Sequence, residues 1–316
     1  MENTLLPQND TRLLAPDNDP ALVYISTLSE SSRRVVWESL TKIADILTGG
    51  KISEPRAIPW GDLRYQHATL IRSFLHETME LSPATVNREL SFLRGVCKQA
   101  WLLGQMDGED FHRLKAVPGI RNQSLPAGKM LTTGDIRALM TVCKDDKNEA
   151  KGVRDASIIA IMYICGLRRT EIVQLTLDNY NRDERLLSVI SGKGNKDRRV
   201  PIGPAQRPLA DWLIHRNGIE ANELFLPVNR GGNLQKRKLS AQAIYNMANK
   251  RAEEAGISKF SPHDLRHTSI SMWLDKTDAI SVAQFAGHSS VNTTMRYDHR
   301  PDQDRIKTAD QLFLPY

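Results

Sequence analysis

The sequence predicts a mainly α-helical chain with one small antiparallel β-sheet, an α+β fold laid out as an all-helical domain followed by a mixed α/β domain. Three observations carry that prediction. Apolar residues recur at helical spacing through the first hundred residues. An aperiodic Pro-, Gly- and Ser-rich stretch, VPGIRNQSLPAGKM (117–130), then breaks the pattern. Beyond it, helices resume around a β-branched segment with a glycine-rich turn.

Residues 1–19 are polar, with Pro7, Asn9, Pro16 and Asn18, and read as a flexible arm. Ser31 to Leu47 carries Val35, Leu40, Ile43 and Ile46 at helical spacing, and Gly49-Gly50 stops it. A second helix follows over Gln66 to Glu80, with Leu70, Ile71 and Leu75 on one stripe. Ser82-Pro83 is an N-cap followed by proline at the first helical position. It opens a helix whose Val86, Leu90, Leu93, Cys97 and Trp101 share a face. Together these predict an all-helical bundle, the first domain, over 20–117. Arg88, Arg94 and Lys98 are its candidates for phosphate contacts, although a solvated helix face explains each one singly.

Residues 118–130 are then an interdomain linker, and the second domain runs over 131–300. Thr132-x-x-Asp135 is a capping box, followed by Ile136, Leu139, Met140 and Cys143 at helical spacing. A buried helix over Ala156 to Cys165 ends at Gly166, and another begins around Arg169. Leu186 to Ile190, the turn SGKGNKD and Arg199 to Ile202 predict a hairpin. Further helices begin near Pro208, Ser240, Ser261 and Ser290. Residues 301–316 form a tail ending in the apolar run Leu312 to Tyr316, expected to dock on a neighbouring protomer.

With 316 residues, each of two domains can bury its own core. The composition, 40% hydrophobic and 25% charged, is that of a globular protein. The longest apolar run, Ile158 to Cys165, is too short to cross a bilayer. The start MENTLLPQND has no basic n-region or apolar h-region. The expectation is therefore a cytoplasmic protein with no membrane partner. Cys97, Cys143 and Cys165 are scattered, which suits reduced core thiols better than disulfides or a zinc knuckle. A net charge of +6 makes a polyanionic partner plausible.

Four stretches place ionisable side chains beside helix or hairpin boundaries: GLRRTEI (166–172), GKGNKDRRVPI (192–202), SPHDLRH (261–267) and GHSSVNTTMRY (287–297). Together they resemble the signature of the tyrosine recombinase (phage integrase) family. That family carries an arginine in a GLR-x-x-E stretch, a lysine in a hairpin turn, an H-x-x-R pair, then a GH and a tyrosine. Here those places are held by Arg168, Lys193, His263, Arg266, His288 and Tyr297. The resemblance covers most of 130–300, with motif order and spacing intact, while residues 20–118 match only in general character the helical core-binding domain that such enzymes carry. Arg169 departs from it, standing where many relatives have an apolar residue. The resemblance implies a catalytic domain of the DNA breaking-rejoining type and attack by Tyr297 to give a 3′-phosphotyrosine. It also implies a homo-tetramer on two double-stranded recombination sites, exchanging strands through a Holliday junction, with accessory proteins as possible partners.

Elementary chemistry supports the assignment. Attack on a phosphodiester builds negative charge on its non-bridging oxygens, and no metal cage is recognisable in the sequence. Two arginines, Arg168 and Arg266, are a natural substitute, because the guanidinium fork matches phosphate geometry and keeps its charge. His263 and His288 would donate or accept beside them. His263 and Arg266 lie three apart on a helix opened by Ser261 and Pro262, so they share a face near its positive end. Ionising tyrosine, with a pKa of about 10, costs only about 4 kcal/mol at neutrality. The leaving 5′-alkoxide resembles hydroxide, whose conjugate acid has a pKa of about 15.7, so expelling it unprotonated is the larger obstacle. An ammonium on a hairpin tip, Lys193, suits the general acid, and His263 suits the base for Tyr297. The bond energy is retained in the intermediate, so no ATP, metal or other cofactor is expected, in keeping with the absence of a GxxxxGK[ST] stretch.

Glu171 either orients a nearby basic side chain or caps its helix, and His267 either backs the site or is satisfied within its own helix. The basic stretch Lys193, Lys196, Arg198 and Arg199 is expected to meet the DNA backbone. Three other functions compete. A metal-dependent nuclease could use His263, His267, His288 and His299, but Arg266 would set a cation beside the metal. A type IB topoisomerase uses similar residues to nick and reseal. A DNA-binding regulator with a dead site is the third.

Overall fold

The computed structural model describes residues 14–121, 129–190, 197–295 and 297. Most of the predicted arm, linker residues 122–128, the hairpin tip with Lys193 and Lys196, His299 and the predicted docking tail lie outside them. The chain divides into two compact units, Met1–Ser124 and Leu125–Tyr316, each with its own apolar core. As the sequence predicts, the architecture is mainly helical with one small antiparallel sheet.

In the first unit the described helices are α1 (Pro20–Ser26), α2 (Glu30–Thr48), α3 (Tyr65–Ser73), α4 (Pro83–Leu102) and α5 (Gly108–Lys115). Helix α4 starts where Ser82-Pro83 predicts, with Ser82 Oγ accepting from Thr85 N at 3.3 Å. Its Val86, Leu90, Leu93 and Cys97 are buried against Leu40, Ile43 and Leu47 of α2 in one core. Two details differ from the periodicity reading. Val36 is buried on α2 while Val35 is 42% exposed, because the inward stripe is 36, 40, 43 and 47 and its neighbour lies about 100° round the helix. Leu70 is likewise 46% exposed beside buried Ile71. Helices α1 and α5 are too short for periodicity to reveal. Their caps are legible instead, since Asp19 Oδ1 accepts from Ala21 N at 3.0 Å and Asp107 Oδ1 from Glu109 N at 2.8 Å.

The second unit opens with α6 (Thr133–Lys144) behind the predicted capping box of Thr132 and Asp135. Helix α7 (Glu149–Cys165) starts seven residues before the predicted onset at Ala156, behind an Asn148 cap, and its Ile158, Ile159, Ile161 and Met162 are central to the core. After α8 (Arg169–Ile172) come β1 (Tyr180–Asn181), β2 (Leu186–Val189) and β3 (Arg198–Pro201), in the antiparallel order β1-β2-β3. The predicted hairpin is β2–β3, with Leu187 opposite Val200 and Val189 opposite Arg198. Helices α9 (Gln206–His215), α10 (Ala241–Glu254), α11 (Pro262–Leu274), α12 (Ala279–Ala286) and α13 (Val291–Met295) follow. Of these, α12 has no counterpart in the sequence reading.

A buried ionic network fixes α10 against α7 and the turn that precedes it. The Arg251 side chain, 1% exposed, donates from Nε to Asp155 at 2.9 Å, from Nη2 to Asp146 at 2.6 Å and from Nη1 to Glu254 at 2.8 Å. Removing one member of such a network leaves its partner charged and unsatisfied, so the register of α10 is strongly held. Cys97, Cys143 and Cys165 are buried free thiols, and burial pushes Cys143 and Cys165 up to about 12, as inert core cysteines require. No described helix is long and apolar enough to cross a membrane.

Candidate active site

Helix ends position most of the site. Helix α7 stops at Gly166, whose left-handed φ of 60° needs no Cβ, and the chain turns through buried Leu167 into Arg168, the N-cap of α8. Arg168 has extended backbone there (φ −72°, ψ 149°), while Glu171 reaches back to accept from Arg168 N at 2.8 Å. Helix α12 ends the same way at Gly287, with φ 65°, and His288 N closes the turn on Ala283 O at 2.9 Å. Ser261 and Asp264 form a capping box that starts α11, which presents His263 and Arg266 three residues apart.

Arg266 is the most enclosed of these residues, at 1% exposure. Its Nη1 donates to Gly166 O at 2.5 Å, and its Nη2 donates to Ala286 O at 2.7 Å and to His288 Nε2 at 2.9 Å. The guanidinium thus ties the ends of α7 and α12 to α11. Its Nε–H and second Nη1–H make no bond among the described residues. Burial, followed by the neighbouring Arg168, draws its pKa down to about 10, which leaves it charged at neutral pH.

The arginine contact settles the tautomer of His288. Arginine has only N–H donors, so Nε2 must be the bare acceptor. Nδ1 then carries the proton and donates to Thr294 Oγ1 at 2.8 Å. Burial, then Arg266 and Arg168, push its pKa down to about 4, consistent with a neutral ring. Both ring nitrogens are engaged, so His288 orients Arg266. His263 is exposed on the same helix as Arg266. Although the residue as a whole is exposed, partial burial of its ring and then the charge of Arg266 hold its pKa below the ordinary 6.5, so it is neutral and able to accept a proton at neutral pH.

Arg168, with its side chain 38% exposed, pairs through Nη1 with Glu171 Oε1 at 2.9 Å. Glu171 is buried and takes a second, two-pronged contact from Arg198, Nη1 to Oε1 at 3.0 Å and Nη2 to Oε2 at 2.9 Å. Burial alone would raise the Glu171 pKa, but the Arg198 bonds and charge hold it below the ordinary carboxylate range. Glu171 therefore both caps α8 and orients two arginines. Arg198, expected on the DNA-facing side of the hairpin, instead points inward, and its Nε donates to Phe285 O at 2.9 Å. The strand explains why, since residues 198, 200 and 202 share a face and Val200 and Ile202 are core. Sequence reasoning missed this positioning role, and the apolar alternation beyond Arg198 was the available signal.

Arg168, Arg266 and His263 line one cavity of about 370 Å³, together with Arg169, Thr170 and Tyr245. The half-buried Tyr297 joins the site through its ring, which lies 5.9 Å from the His288 ring, near-parallel at 19°, and 4.9 Å from His267. Its backbone is held by Tyr297 N donating to Thr294 O at 2.9 Å and by Ser271 Oγ donating to Tyr297 O at 3.4 Å. His267 is buried, backing the tyrosine, while His263 is exposed. Among the described residues, no group of three or more His, Cys, Asp and Glu side chains could hold a metal ion.

The other predicted DNA contacts are dispersed. Arg199, on the outward face of β3, is 57% exposed and pairs with Glu184. Arg88 is half exposed and pairs with Glu89 at 3.0 Å. Arg94 spends its Nη2 on Val117 O at 2.5 Å, and Lys98 is exposed.

Comparison with known proteins shows the family of the chain. The model of the phage integrase family matches residues 129–304, more than half of the chain. The tyrosine recombinase XerC of Corynebacterium efficiens is 30% identical over 269 residues, 79% of this chain and 82% of that protein. The tyrosine recombinase XerD of Lacticaseibacillus casei is 32% identical over 244 residues, 75% of this chain and 80% of its own. The solved structure of the Tn1549 transposon integrase in complex with circular intermediate DNA superposes with a TM-score of 0.68. That match covers 93% of this chain and 99% of that one at 17% identity, a likeness of fold.

Proposed function

The chain belongs to the phage integrase family and is a tyrosine site-specific recombinase, and from that premise we propose that Tyr297 attacks a phosphodiester of duplex DNA to form a 3′-phosphotyrosine and a free 5′-hydroxyl. The observation that carries this reading is the single cavity in which Arg168, Arg266 and His263 meet, with the Tyr297 ring stacked on the histidine that orients Arg266. The two guanidiniums neutralise the charge that grows on the non-bridging oxygens. His263, neutral at working pH, takes the phenolic proton. The reverse attack of a 5′-hydroxyl on the phosphotyrosine rejoins the strand with no outside energy source.

Covalent trapping tests the assignment. Wild type and Tyr297→Phe are incubated with nicked suicide DNA from the sequence flanking the gene and resolved on a denaturing gel, in chelator. A slow-migrating adduct is expected from wild type alone. An adduct from Tyr297→Phe would make another residue the nucleophile.

Lys193, between β2 and β3 in the sequence, protonates the leaving 5′-oxygen. Lys193→Ala is therefore expected to stall cleavage of ordinary DNA but not of DNA with a 5′-bridging sulfur, whose thiolate needs no acid to depart. Equal defects on both substrates would remove Lys193 from that role. The wider setting follows from the same reading: a homo-tetramer on two recombination sites, a Holliday-junction intermediate, helical and catalytic domains that both engage DNA, and action in the cytoplasm.

A further inference from the structure

Arg169 has no part in the chemistry described above, although its side chain lines the same cavity as Arg168, His263 and Arg266. Arg168 and Arg169 are adjacent, yet their backbones differ. The first caps α8 with extended φ and ψ, and the second is the first helical residue. Arg168 turns to Glu171. Arg169 is exposed, its guanidinium carbon lies 5.7 Å from the centroid of the Tyr245 ring, and no carboxylate pairs with it among the described residues. Tyr245 is itself 38% exposed, on α10, whose position is locked by the Arg251 network.

A lone arginine at the mouth of a cationic cavity is electrostatically unfavourable, since it adds like charge beside Arg168 and Arg266. The ring offsets part of that cost by a cation–π contact and restricts the rotamers of the side chain. What it yields is a charged, hydrogen-bonding fork lining the cavity, its donors unspent among the described residues. Such a group recognises a phosphate. DNA supplies one beside the scissile phosphate at each nucleotide step, a rise of about 3.4 Å along the axis.

We propose that Arg169, seated on Tyr245, binds the backbone phosphate next to the scissile one and so holds the strand in register over Arg168 and Arg266. This rests on the strand-cleavage reading above. It makes Arg169 a positioning residue that contributes affinity through counterion release and no base specificity.

The test is binding of the full chain to a fluorescent duplex across about 50–200 mM salt, which requires no knowledge of the recombination site. Wild type, Arg169→Ala, Arg169→Lys and Tyr245→Leu are compared. Arg169→Ala is expected to weaken binding by about 3–10-fold and to lower the slope of log K against log salt by about 1. Arg169→Lys should retain the slope and recover part of the affinity. Tyr245→Leu should also retain the slope, since the charge remains, but bind more weakly. An unchanged slope for Arg169→Ala, with or without an affinity loss, would overturn the proposal, because a merely structural role leaves counterion release untouched. Failure of the cleavage reading shows itself separately, as absence of a wild-type covalent adduct while these slopes still differ.

Discussion

Arg266→Ala is expected to lower the rate of covalent-adduct formation by at least about 10²–10³-fold, the range for deleting one preorganised donor to a developing oxyanion. The loss should fall toward the upper end, because this side chain does two things at once. In the proposed mechanism it neutralises charge on the phosphate, and in the fold it joins the ends of α7 and α12 to α11 through Gly166 O, Ala286 O and His288 Nε2. Its removal leaves those acceptors without a donor, at about 1–3 kcal/mol for each one that stays dry. It also releases His288, whose ring carries the Tyr297 ring beside it. Single-turnover trapping on nicked DNA measures the rate, and a thermal melt measures the structural part. A neutral methylphosphonate at the scissile position separates the two. With one charge gone from the phosphate, the electrostatic deficit of Arg266→Ala should shrink while the structural deficit persists. An adduct rate within about tenfold of wild type on ordinary DNA would show that Arg266 serves the fold alone.

Glu171→Ala is expected to destabilise the second unit by about 3–5 kcal/mol, the cost of leaving buried charge uncompensated. The carboxylate is the shared partner of Arg168 and Arg198, and the Arg198 side chain is only 7% exposed. Glu171→Gln should cost less, because the amide keeps the shape and one acceptor. Adduct formation should fall in both variants, since Arg168 loses the contact that aims it and Arg198 becomes a repelling neighbour.

The pH dependence of this effect has a definite sign. The folded-state pKa of Glu171 is held below its ordinary 4.5, so the unfolded chain binds the proton more tightly than the folded one. Its contribution is complete above 4.5 and is lost as pH falls below that value through the depressed folded one. Urea melts of wild type and Glu171→Gln should therefore show a constant gap near neutrality that narrows in acid. A gap that widens in acid, or a loss under about 1 kcal/mol for Glu171→Ala, would remove Glu171 as the counter-ion that matters.

What the sequence by itself determined was mostly local. The capping box at Thr132, the helix start at Ser261-Pro262, the proline-started α4 and the glycine stop at Gly166 all act within a few residues, so they can be read from spacing alone. The same is true of the pairing of His263 with Arg266, which follows from three-residue spacing on one helix. The inward stripe of α2 was misread by one position because Val35 and Val36 are chemically identical, and only packing against α4 chooses between them.

The tertiary structure decided which charges face each other. Arg198 meets Glu171 across 27 residues, Arg266 meets Gly166 across 100, and His288 receives its donor from 22 residues away. From sequence, Arg198 and Arg199 look alike, two basic residues in one turn-rich stretch. The pleat of β3 sends one inward to an acid it neutralises and leaves the other in solvent. Likewise, His288 was legible as a site residue, but not the nitrogen that carries its proton. That depends on an arginine brought to it from another helix, because a ring's tautomer is set by its partners and not by its neighbours in the chain.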